Sequence, residues 1–181
     1  MSSSNEKLVP VVCSIRMEKK ADWKTVFEVN EKAFERKDES KLVERLRTMA
    51  YPQLSLVAEY EGRIVGHIFF SPVIIGGKRE EPPAMGLGPM AVLPEMQNRT
   101  VGSQLVKAGL TDLRTRGYQV IVVMGHPEYY PKFGFMRASR YGLRYDQMIR
   151  DELFMALELR PGSLAGRSAT VKYMAEFDAV G

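Results

Sequence analysis

The sequence is poor in cysteine and histidine, the residues on which disulfide frameworks and zinc clusters depend. Its 181 residues include 1 cysteine, Cys13, and 2 histidines, His67 and His126, which lie far apart along the chain. A single thiol excludes an internal disulfide and a cysteine-based zinc cluster. We therefore expect a protein without a bound metal, and the low cysteine content favours a reducing cytoplasm.

Long hydrophobic runs and blocks of one charge are also missing. The longest apolar stretches, such as residues 64–70, fall far short of the ~18 residues that a membrane helix needs. The first residues carry an acid at Glu6 and lead into no apolar signal core. The formal net charge is only +4, and lysine and arginine are mixed with acids. We expect neither a membrane partner nor a nucleic-acid partner.

The rest of the composition is that of an ordinary globular protein. Hydrophobic residues make up 45% and charged residues 27% of the chain, which argues against disorder. The length predicts one domain over residues 1–181. Residues 1–10, which begin with the run Ser2-Ser3-Ser4, are expected to form a loose arm.

Hydrophobic periodicity predicts a mixed α/β or α+β architecture, with helices covering a mixed sheet. The first half of the chain is predicted to form a strand, a helix capped by Asp22, a second helix, a hairpin and a fourth strand. Their predicted bounds are residues 11–17 for the strand, 39–49 for the second helix, 54–60 and 64–71 for the hairpin, and 85–93 for the fourth strand. His67 lies in an apolar strand of the hairpin and is expected to be a core histidine.

The second half of the chain begins with a βαβ unit. A loop at residues 95–100 precedes a helix at 101–116, Gly117 suits the end of that helix, and a short apolar strand follows at 119–124. The strands on either side of the helix should be parallel. Two further strands are predicted near the C-terminus, at residues 152–159 and 168–177.

The loop before the third helix has the features of a phosphate site. Backbone N–H groups at the start of a helix are unpaired and lie at the positive end of its dipole. Gly102 allows close backbone approach, Thr100 and Ser103 add hydroxyls, and Arg99 adds a cation. The loop lacks the Gly-Lys-Ser/Thr run of a triphosphate-binding P-loop. An ordinary capped helix terminus remains the alternative interpretation.

A second candidate element follows the buried strand at residues 119–124. Ligands settle at the carboxyl ends of such strands, and His126 and Tyr130 follow this one directly. A tyrosine placed there can give a proton to a leaving group. An aromatic cluster in the core is the alternative.

Together, the two elements resemble the Gcn5-related N-acetyltransferase (GNAT) family. That family has a strand, a loop of the form Q/R-x-x-G-x-G/A that opens a helix, a second strand, and a tyrosine four residues before Gly-Phe. Gln97 and Gly102 match the loop, and Tyr130 with Gly134-Phe135 matches the end. Thr100 departs from the pattern, because it stands where the family has its first glycine.

The resemblance implies a mostly antiparallel central sheet with a splayed parallel strand pair and helices on both faces. It also implies transfer of an acetyl group from acetyl-CoA to an amine by direct attack in a ternary complex. The residues that it implies at the cofactor are Met90 and Val92 for the pantetheine arm, and Gln97, Asn98, Arg99, Thr100, Val101, Gly102 and Ser103 for the diphosphate. The N–H of Val92 would stabilise the oxyanion, and Tyr130 would contact the cofactor and protonate the thiolate.

The general base and the acceptor are left open by the resemblance. Some family members use a glutamate on the fourth strand, where this chain has Gly86, Leu87 and Gly88. His126 is the catalytic candidate, because histidine as a residue type suits proton transfer. Glu81 and Glu128 also lie nearby in sequence, and a packing role for His126 and an ordered water are further alternatives. The acceptor is expected to be a small-molecule or peptide amine that binds partly to residues 137–181, and the chain to form a homodimer. The alternative function is a CoA-binding regulatory module with little or no catalysis.

Overall fold

The structure of the chain, a computed structural model, describes residues 8–180. Most of the expected N-terminal arm, including Ser2-Ser3-Ser4, therefore lies outside the described residues. Within the described part of that arm, the carbonyl of Val9 accepts a hydrogen bond of 3.1 Å from Arg99 Nε. None of the helices found between residues 8 and 180 is long and apolar enough to cross a membrane.

A seven-stranded sheet forms the centre of the fold, in the order β1-β2-β3-β5-β6-β9-β7. Its strands are β1 (Ser14–Met17), β2 (Leu54–Tyr60), β3 (Arg63–Pro72), β5 (Met85–Val92), β6 (Val120–Met124), β7 (Met136–Arg137) and β9 (Phe154–Glu158). Every neighbouring pair is antiparallel except β5 and β6, which are parallel. The predicted mixed, mostly antiparallel sheet with one parallel pair is confirmed.

A smaller sheet and three helices complete the architecture. The small sheet has the order β4-β10-β8. Its strands are β4 (Ile74–Ile75), β8 (Leu143–Tyr145) and β10 (Ala169–Lys172), and the helices are α1 (Trp23–Phe34), α2 (Asp38–Met49) and α3 (Val101–Thr115). All three predicted helices and the hairpin β2–β3 are confirmed, with bounds that differ by a residue or two.

Strand β3 shows why helices cover both faces of the large sheet. Alternate side chains of a strand point to opposite faces. Phe69 packs in one cluster with residues of α1 and α2, whereas Phe70 packs against α3. The approach to α3 is close, because a Cβ added at Gly109 would lie 2.4 Å from the Phe70 ring. The glycine in α3 therefore brings the helix backbone down onto the sheet.

The parallel pair β5–β6 diverges after three residues. Only residues 85–87 of β5 pair with residues 121–123 of β6. At the next position Gly88 has φ +144°, a backbone conformation that favours glycine. The register of β5 against β3 also shifts between Ile68 and Phe70. Beyond this irregularity β5 continues along β3 to Val92, and no strand within residues 8–180 pairs with its other side.

The N-terminal predictions need two corrections. The first strand begins at Ser14 rather than at residue 11, because the preceding backbone bonds to the start of α3 instead of to β2. Val11 N–H donates to the Arg99 carbonyl, and Cys13 N–H donates to Gln104 Oε1 at 2.9 Å. Asp22 does not cap α1: its carboxylate pairs with Arg16 at 2.7 Å and accepts the N–H of Lys19 at 2.7 Å.

The predicted C-terminal strands are also shorter than expected. Strand β9 begins at Phe154, after a short 3₁₀ turn at Asp151–Leu153. The predicted strand over residues 168–177 is wrong beyond residue 172, because the chain bends into a 3₁₀ turn at Ala175–Ala179. This bend brings the rings of Tyr173 and Phe177 to 4.9 Å, whereas residues four apart in a strand are about 13 Å apart.

His67 of β3 is buried in the core, as predicted, and a hydrogen-bond network holds it there. Asn30 Nδ2 donates to His67 Nδ1 at 3.1 Å, which leaves the proton on Nε2, 2.9 Å from Ser55 Oγ. The Ser55 hydroxyl in turn donates to Glu18 at 2.8 Å. Burial, together with the charge of Arg47, lowers the pKa of His67 to about 3. The imidazole is therefore neutral in the folded protein at physiological pH.

We expect His67 to make the fold acid-sensitive. The unfolded chain protonates this imidazole near pH 6.5, but the folded protein does so only near 3. Between those values the unfolded state binds more protons, so the free energy of unfolding should fall as pH decreases, by up to about 1.4 kcal/mol per pH unit.

Urea denaturation at a series of pH values tests this expectation. His67→Gln should remove this part of the slope, whereas His126→Gln, at an exposed histidine, should keep it. Identical slopes in wild type and His67→Gln would contradict the assignment.

Candidate functional site

A cavity of about 1140 Å³ opens where β5 and β6 diverge. Nearly all the residues expected at the site line it, namely Met90, Val92, Gln97, Asn98, Thr100, Val101, Gly102, Ser103, His126 and Tyr130. The Arg99 side chain lies elsewhere. Its Nε donates to the Val9 carbonyl, and its guanidinium carbon lies 5.7 Å from the centre of the Tyr60 ring. The expected cation of the loop is therefore directed toward the N-terminal segment.

Strand β5 presents an unpaired backbone edge to the cavity. The N–H of Leu93 donates to the Val65 carbonyl of β3 at 2.9 Å. Because successive residues of a strand direct their backbone groups to opposite sides, Val92 and Met90 direct theirs into the gap. The Val92 carbonyl accepts its hydrogen bond from Gln97 Nε2 at 3.0 Å rather than from a strand. This edge is open to an extended ligand that carries amide groups.

The loop before α3 is turned by two residues in the left-handed conformation. Asn98 has φ +58° and Thr100 has φ +70°. The Thr100 hydroxyl donates to the Val11 carbonyl at 3.3 Å and accepts from Gln104 Nε2 at 3.1 Å, so its hydrogen bonds go to the chain behind the loop. The N–H of Gln104 closes the first helical turn on the Thr100 carbonyl. The N–H groups of residues 101–103 precede that turn and have no partner within the helix.

Tyr129 is a lining residue that the sequence reasoning missed. Its hydroxyl lies 3.5 Å from Ser103 Oγ and would be 2.9 Å from a Cβ added at Gly102. Burial raises the pKa of Tyr129, so this hydroxyl is a donor at neutral pH. Lys132 Nζ lies 3.9 Å from the centre of the Tyr129 ring. The adjacent tyrosines in the sequence could have indicated Tyr129 as a second site residue, but only Tyr130 matches the family spacing.

Tyr130 is buried in an aromatic cluster at the start of the gap. Its ring meets Tyr129 at 5.1 Å and Phe135 at 5.7 Å between centroids. Gly125 makes room for the ring, since a Cβ there would lie 2.4 Å from a Tyr130 ring carbon. Burial raises the pKa of Tyr130 well above its usual value. The phenol therefore keeps its proton at neutral pH and can serve as a proton donor.

The space beside Gly86, one of the three residues in the area of the family's strand glutamate, is filled by a tyrosine from the C-terminal segment. A Cβ added at Gly86 would lie 2.5 Å from the Tyr173 ring, and the Tyr173 hydroxyl donates to the Val122 carbonyl at 3.3 Å. His126 is exposed and lines the same cavity. Within residues 8–180, no three His, Cys, Asp or Glu side chains are grouped so as to hold a metal ion.

The fold and this cavity have the architecture of the GNAT acetyltransferase family, and comparison with known proteins agrees. The family model described as an acetyltransferase (GNAT) domain matches residues 14–138. The chain belongs to this family.

Individual relatives resemble the chain over different lengths. It is 33% identical to the uncharacterized N-acetyltransferase YhbS of Escherichia coli K12 over 165 residues, which cover 91% of this chain and 98% of YhbS. It is 42% identical to the uncharacterized N-acetyltransferase YjhQ of the same organism over 118 residues, which cover 64% of this chain but only 65% of YjhQ.

Two similar crystal structures contain coenzyme A or its acetyl form. The structure of Escherichia coli YhbS in complex with CoA superposes with a TM-score of 0.84 at 30% identity, covering 95% of this chain and 96% of that one. A GNAT-family acetyltransferase from Brucella melitensis in complex with acetyl-CoA gives a TM-score of 0.76 at 35% identity, covering 92% and 99%.

The contact between Gly125 and Tyr130 yields a test of how the phenol is placed. Gly125→Ala should force the Tyr130 ring to move and should destabilise the fold by about 1–3 kcal/mol, as overpacking does. Chemical denaturation measures this cost. In a Tyr130→Leu background the same substitution should cost much less, because no ring carbon faces the added methyl group. An equal cost in both backgrounds would show that the two residues are not in contact.

Proposed function

We propose that this protein is an N-acetyltransferase that moves an acetyl group from acetyl-CoA to an amine acceptor within a ternary complex. The observation that carries the proposal is the gap between β5 and β6. On one side it has the β5 edge at Met90 and Val92, which no strand within residues 8–180 pairs, and at one end it has the N–H groups of residues 101–103, which have no partner within α3. The Tyr130 phenol lines the same gap. Both similar structures named above contain CoA or acetyl-CoA.

The residues present fit such a ligand in two places. The Val92 and Met90 edge can pair with the amides of the pantetheine arm, as a neighbouring strand would. The Gln97 amide that bonds to the Val92 carbonyl does not block this, because a carbonyl accepts two hydrogen bonds. The diphosphate suits the N–H groups at residues 101–103, with the hydroxyls of Ser103 and Tyr129 beside them.

The cation that lines this part of the cavity is Lys132 rather than Arg99. Its ammonium lies over the Tyr129 ring, and the Tyr129 hydroxyl faces Ser103. A lysine in this position supports a ligand with several negative charges. The expected contribution of Arg99 is thereby reduced to its backbone, while its side chain fixes the N-terminal segment behind the loop.

The reaction needs a carbon–nitrogen bond to form and a carbon–sulfur bond to break. The N–H of Val92 is directed into the gap and can stabilise the negative charge that develops on the thioester oxygen. The Tyr130 hydroxyl can transfer its proton to the departing thiolate. The amine loses one proton in the attack, which His126 or a water molecule can accept, and Tyr130 recovers its own from solvent.

The acceptor class and the assembly also belong to this proposal. The cavity reaches residues 145–149 and 173–180 of the C-terminal region, which supports the expectation that residues 137–181 help bind a small-molecule or peptide amine. The homodimer and the cytoplasmic location stay predictions.

A CoA-binding regulatory module is the second candidate, and one observation favours it. The residues in the area of the family's strand glutamate are Gly86, Leu87 and Gly88, so β5 offers no carboxylate to receive the amine proton. Calorimetry with acetyl-CoA, beside free-thiol release over a panel of amines, separates the two functions. Binding without turnover on any amine would favour the module.

Tyr130→Phe tests the proposed proton donor. The phenylalanine keeps the buried ring and its packing but removes the hydroxyl, which is needed in the transition state more than in the bound complex. We expect kcat to fall by about a hundredfold, the range of general acid catalysis, while the Kd for CoA changes little. Steady-state kinetics and calorimetry measure the two quantities, and an unchanged kcat would remove Tyr130 from this role.

Thr100→Gly tests whether the unusual loop residue contacts the cofactor. Because its hydroxyl bonds to Val11 and Gln104, we expect the Kd for CoA to stay within about threefold of wild type, less than one hydrogen bond contributes. Glycine also suits the positive φ at this position. A loss of affinity of tenfold or more would show that the threonine hydroxyl is a ligand contact after all.

A further inference from the structure

The cavity has a second end, away from the loop that precedes α3, and we call it the acceptor chamber. The chamber is formed by α1, α2 and the C-terminal segment. Its lining includes Phe34, Glu39, Tyr145, Tyr173, Phe177 and Asp178. The chamber is continuous with the gap that holds Tyr130 and Val92.

The walls of the acceptor chamber are aromatic. The Tyr173 ring lies 4.9 Å from Phe177 and 5.9 Å from Tyr145, centroid to centroid. Tyr173 also lies against Gly86 of β5, so these rings extend from the sheet outward to residue 145. Such a wall favours a ligand with an apolar body between its polar ends.

The two carboxylates of the chamber differ in whether a basic side chain neutralises their charge. Glu39 is buried, with 4% exposed, and both of its oxygens accept hydrogen bonds from Arg36. Asp178 Oδ1 accepts only the amide of Gln147 at 3.2 Å, and across residues 8–180 no basic group lies within salt-bridge distance of it. Asp178 therefore carries the uncompensated negative charge of the chamber.

The basic residues that line the cavity lie on another element, the segment that follows β6. They are His126 and Lys132, which follow β6 and accompany Tyr129 and Tyr130. Among residues 8–180, the elements that form the chamber thus offer no lining cation to a carboxylate-bearing acceptor. An acceptor with a second positive charge meets Asp178 instead.

The C-terminal segment closes one side of the chamber. Phe177 and Val180 pack against the cluster that α1 and α2 form with the sheet, so the turn at Ala175–Ala179 joins the small sheet to α2. A peptide would need an open groove to run through this side. The wall favours a molecule small enough to enter from one end.

We propose, on the basis of the N-acetyltransferase function above, that the acceptor is a small diamine-like molecule with an apolar middle. Its reacting amine lies between Val92 and Tyr130, its body lies along Tyr173, Tyr145 and Phe177, and its second ammonium meets Asp178. Asp178 is a specificity residue and takes no part in the chemistry.

Three probes that share a benzylamine body and differ in the group at its far end test the proposal. They are 4-(aminomethyl)benzylamine, 4-methylbenzylamine and 4-(aminomethyl)benzoic acid. Their far ends carry a positive, a zero and a negative charge. Calorimetry on the CoA-saturated protein should rank them in that order, with the diamine binding about fivefold tighter than the neutral probe, as an exposed ion pair allows. Steady-state KM values with acetyl-CoA should follow the same ranking.

Asp178→Asn should bring the affinity for the diamine down to that of the neutral probe. Asp146→Asn is the matched control, because it removes the same charge from an exposed residue that does not line the cavity, and it should keep the ranking. Equal binding of the three probes, preference for the acid, or an unchanged ranking in Asp178→Asn would overturn the proposal. Tighter binding of a lysine peptide than of the diamine would overturn the small-molecule class.

The same data separate this inference from the function on which it rests. If the probes bind in the predicted order of charge but none of them causes thiol release, the acetyltransferase function is rejected and the acceptor chamber is still supported. Acetylation of all three probes without a charge ranking would keep the acetyltransferase function and reject the diamine acceptor. Calorimetry on the protein without CoA supplies the ranking if CoA does not bind.

Discussion

The early end of pairing between β5 and β6 is the constraint on which the site depends. Three residue pairs hold the two strands together, and then Gly88, with φ +144°, turns β5 away from β6 while it stays on β3. Had the parallel ladder continued, the backbone groups of Met90 and Val92 would be hydrogen-bonded to β6 and could not pair with a ligand. A side chain at Gly88 would be strained in this conformation. The opening is therefore set by the backbone conformation of the strand itself and not by a loop.

An open strand edge leaves backbone polar groups that need partners, and the loop supplies one. The Gln97 side chain donates to the Val92 carbonyl, which links the first residue of the family's loop motif to the strand edge that lines the gap. A loop that is bonded to the edge moves with it. The glutamine thus fixes the distance between the edge of β5 and the N-terminus of α3, the two surfaces that a long ligand must contact together.

The sequence predicted the parts of the fold that local periodicity determines and missed those that distant contacts determine. The βαβ unit could be predicted because an apolar strand, a helical stripe and a second apolar strand each have a clear period. Asp22 could not be placed correctly, because its carboxylate binds Arg16, on β1, instead of capping the N-terminus of α1. The Arg99 side chain could not be placed from the sequence for the same reason, since its partner is the Val9 carbonyl. The role of Tyr129 depends on the turn that brings it to Ser103, which no spacing reveals.

The distribution of charge in the cavity follows from these placements rather than from composition. The formal net charge of +4 is spread over 26 basic and 22 acidic residues and says little about any ligand. Within the cavity, however, Lys132 and His126 follow β6 while Asp178 lies on the C-terminal turn. Charges of opposite sign on different walls of one cavity orient a ligand pair of opposite sign. An anionic cofactor at the loop and a cationic acceptor at Asp178 would then meet with their reactive groups at the middle of the gap, beside Tyr130. Because Asp178 is exposed, salt would weaken this orientation, whereas the backbone edge of β5 would hold its ligand at any ionic strength.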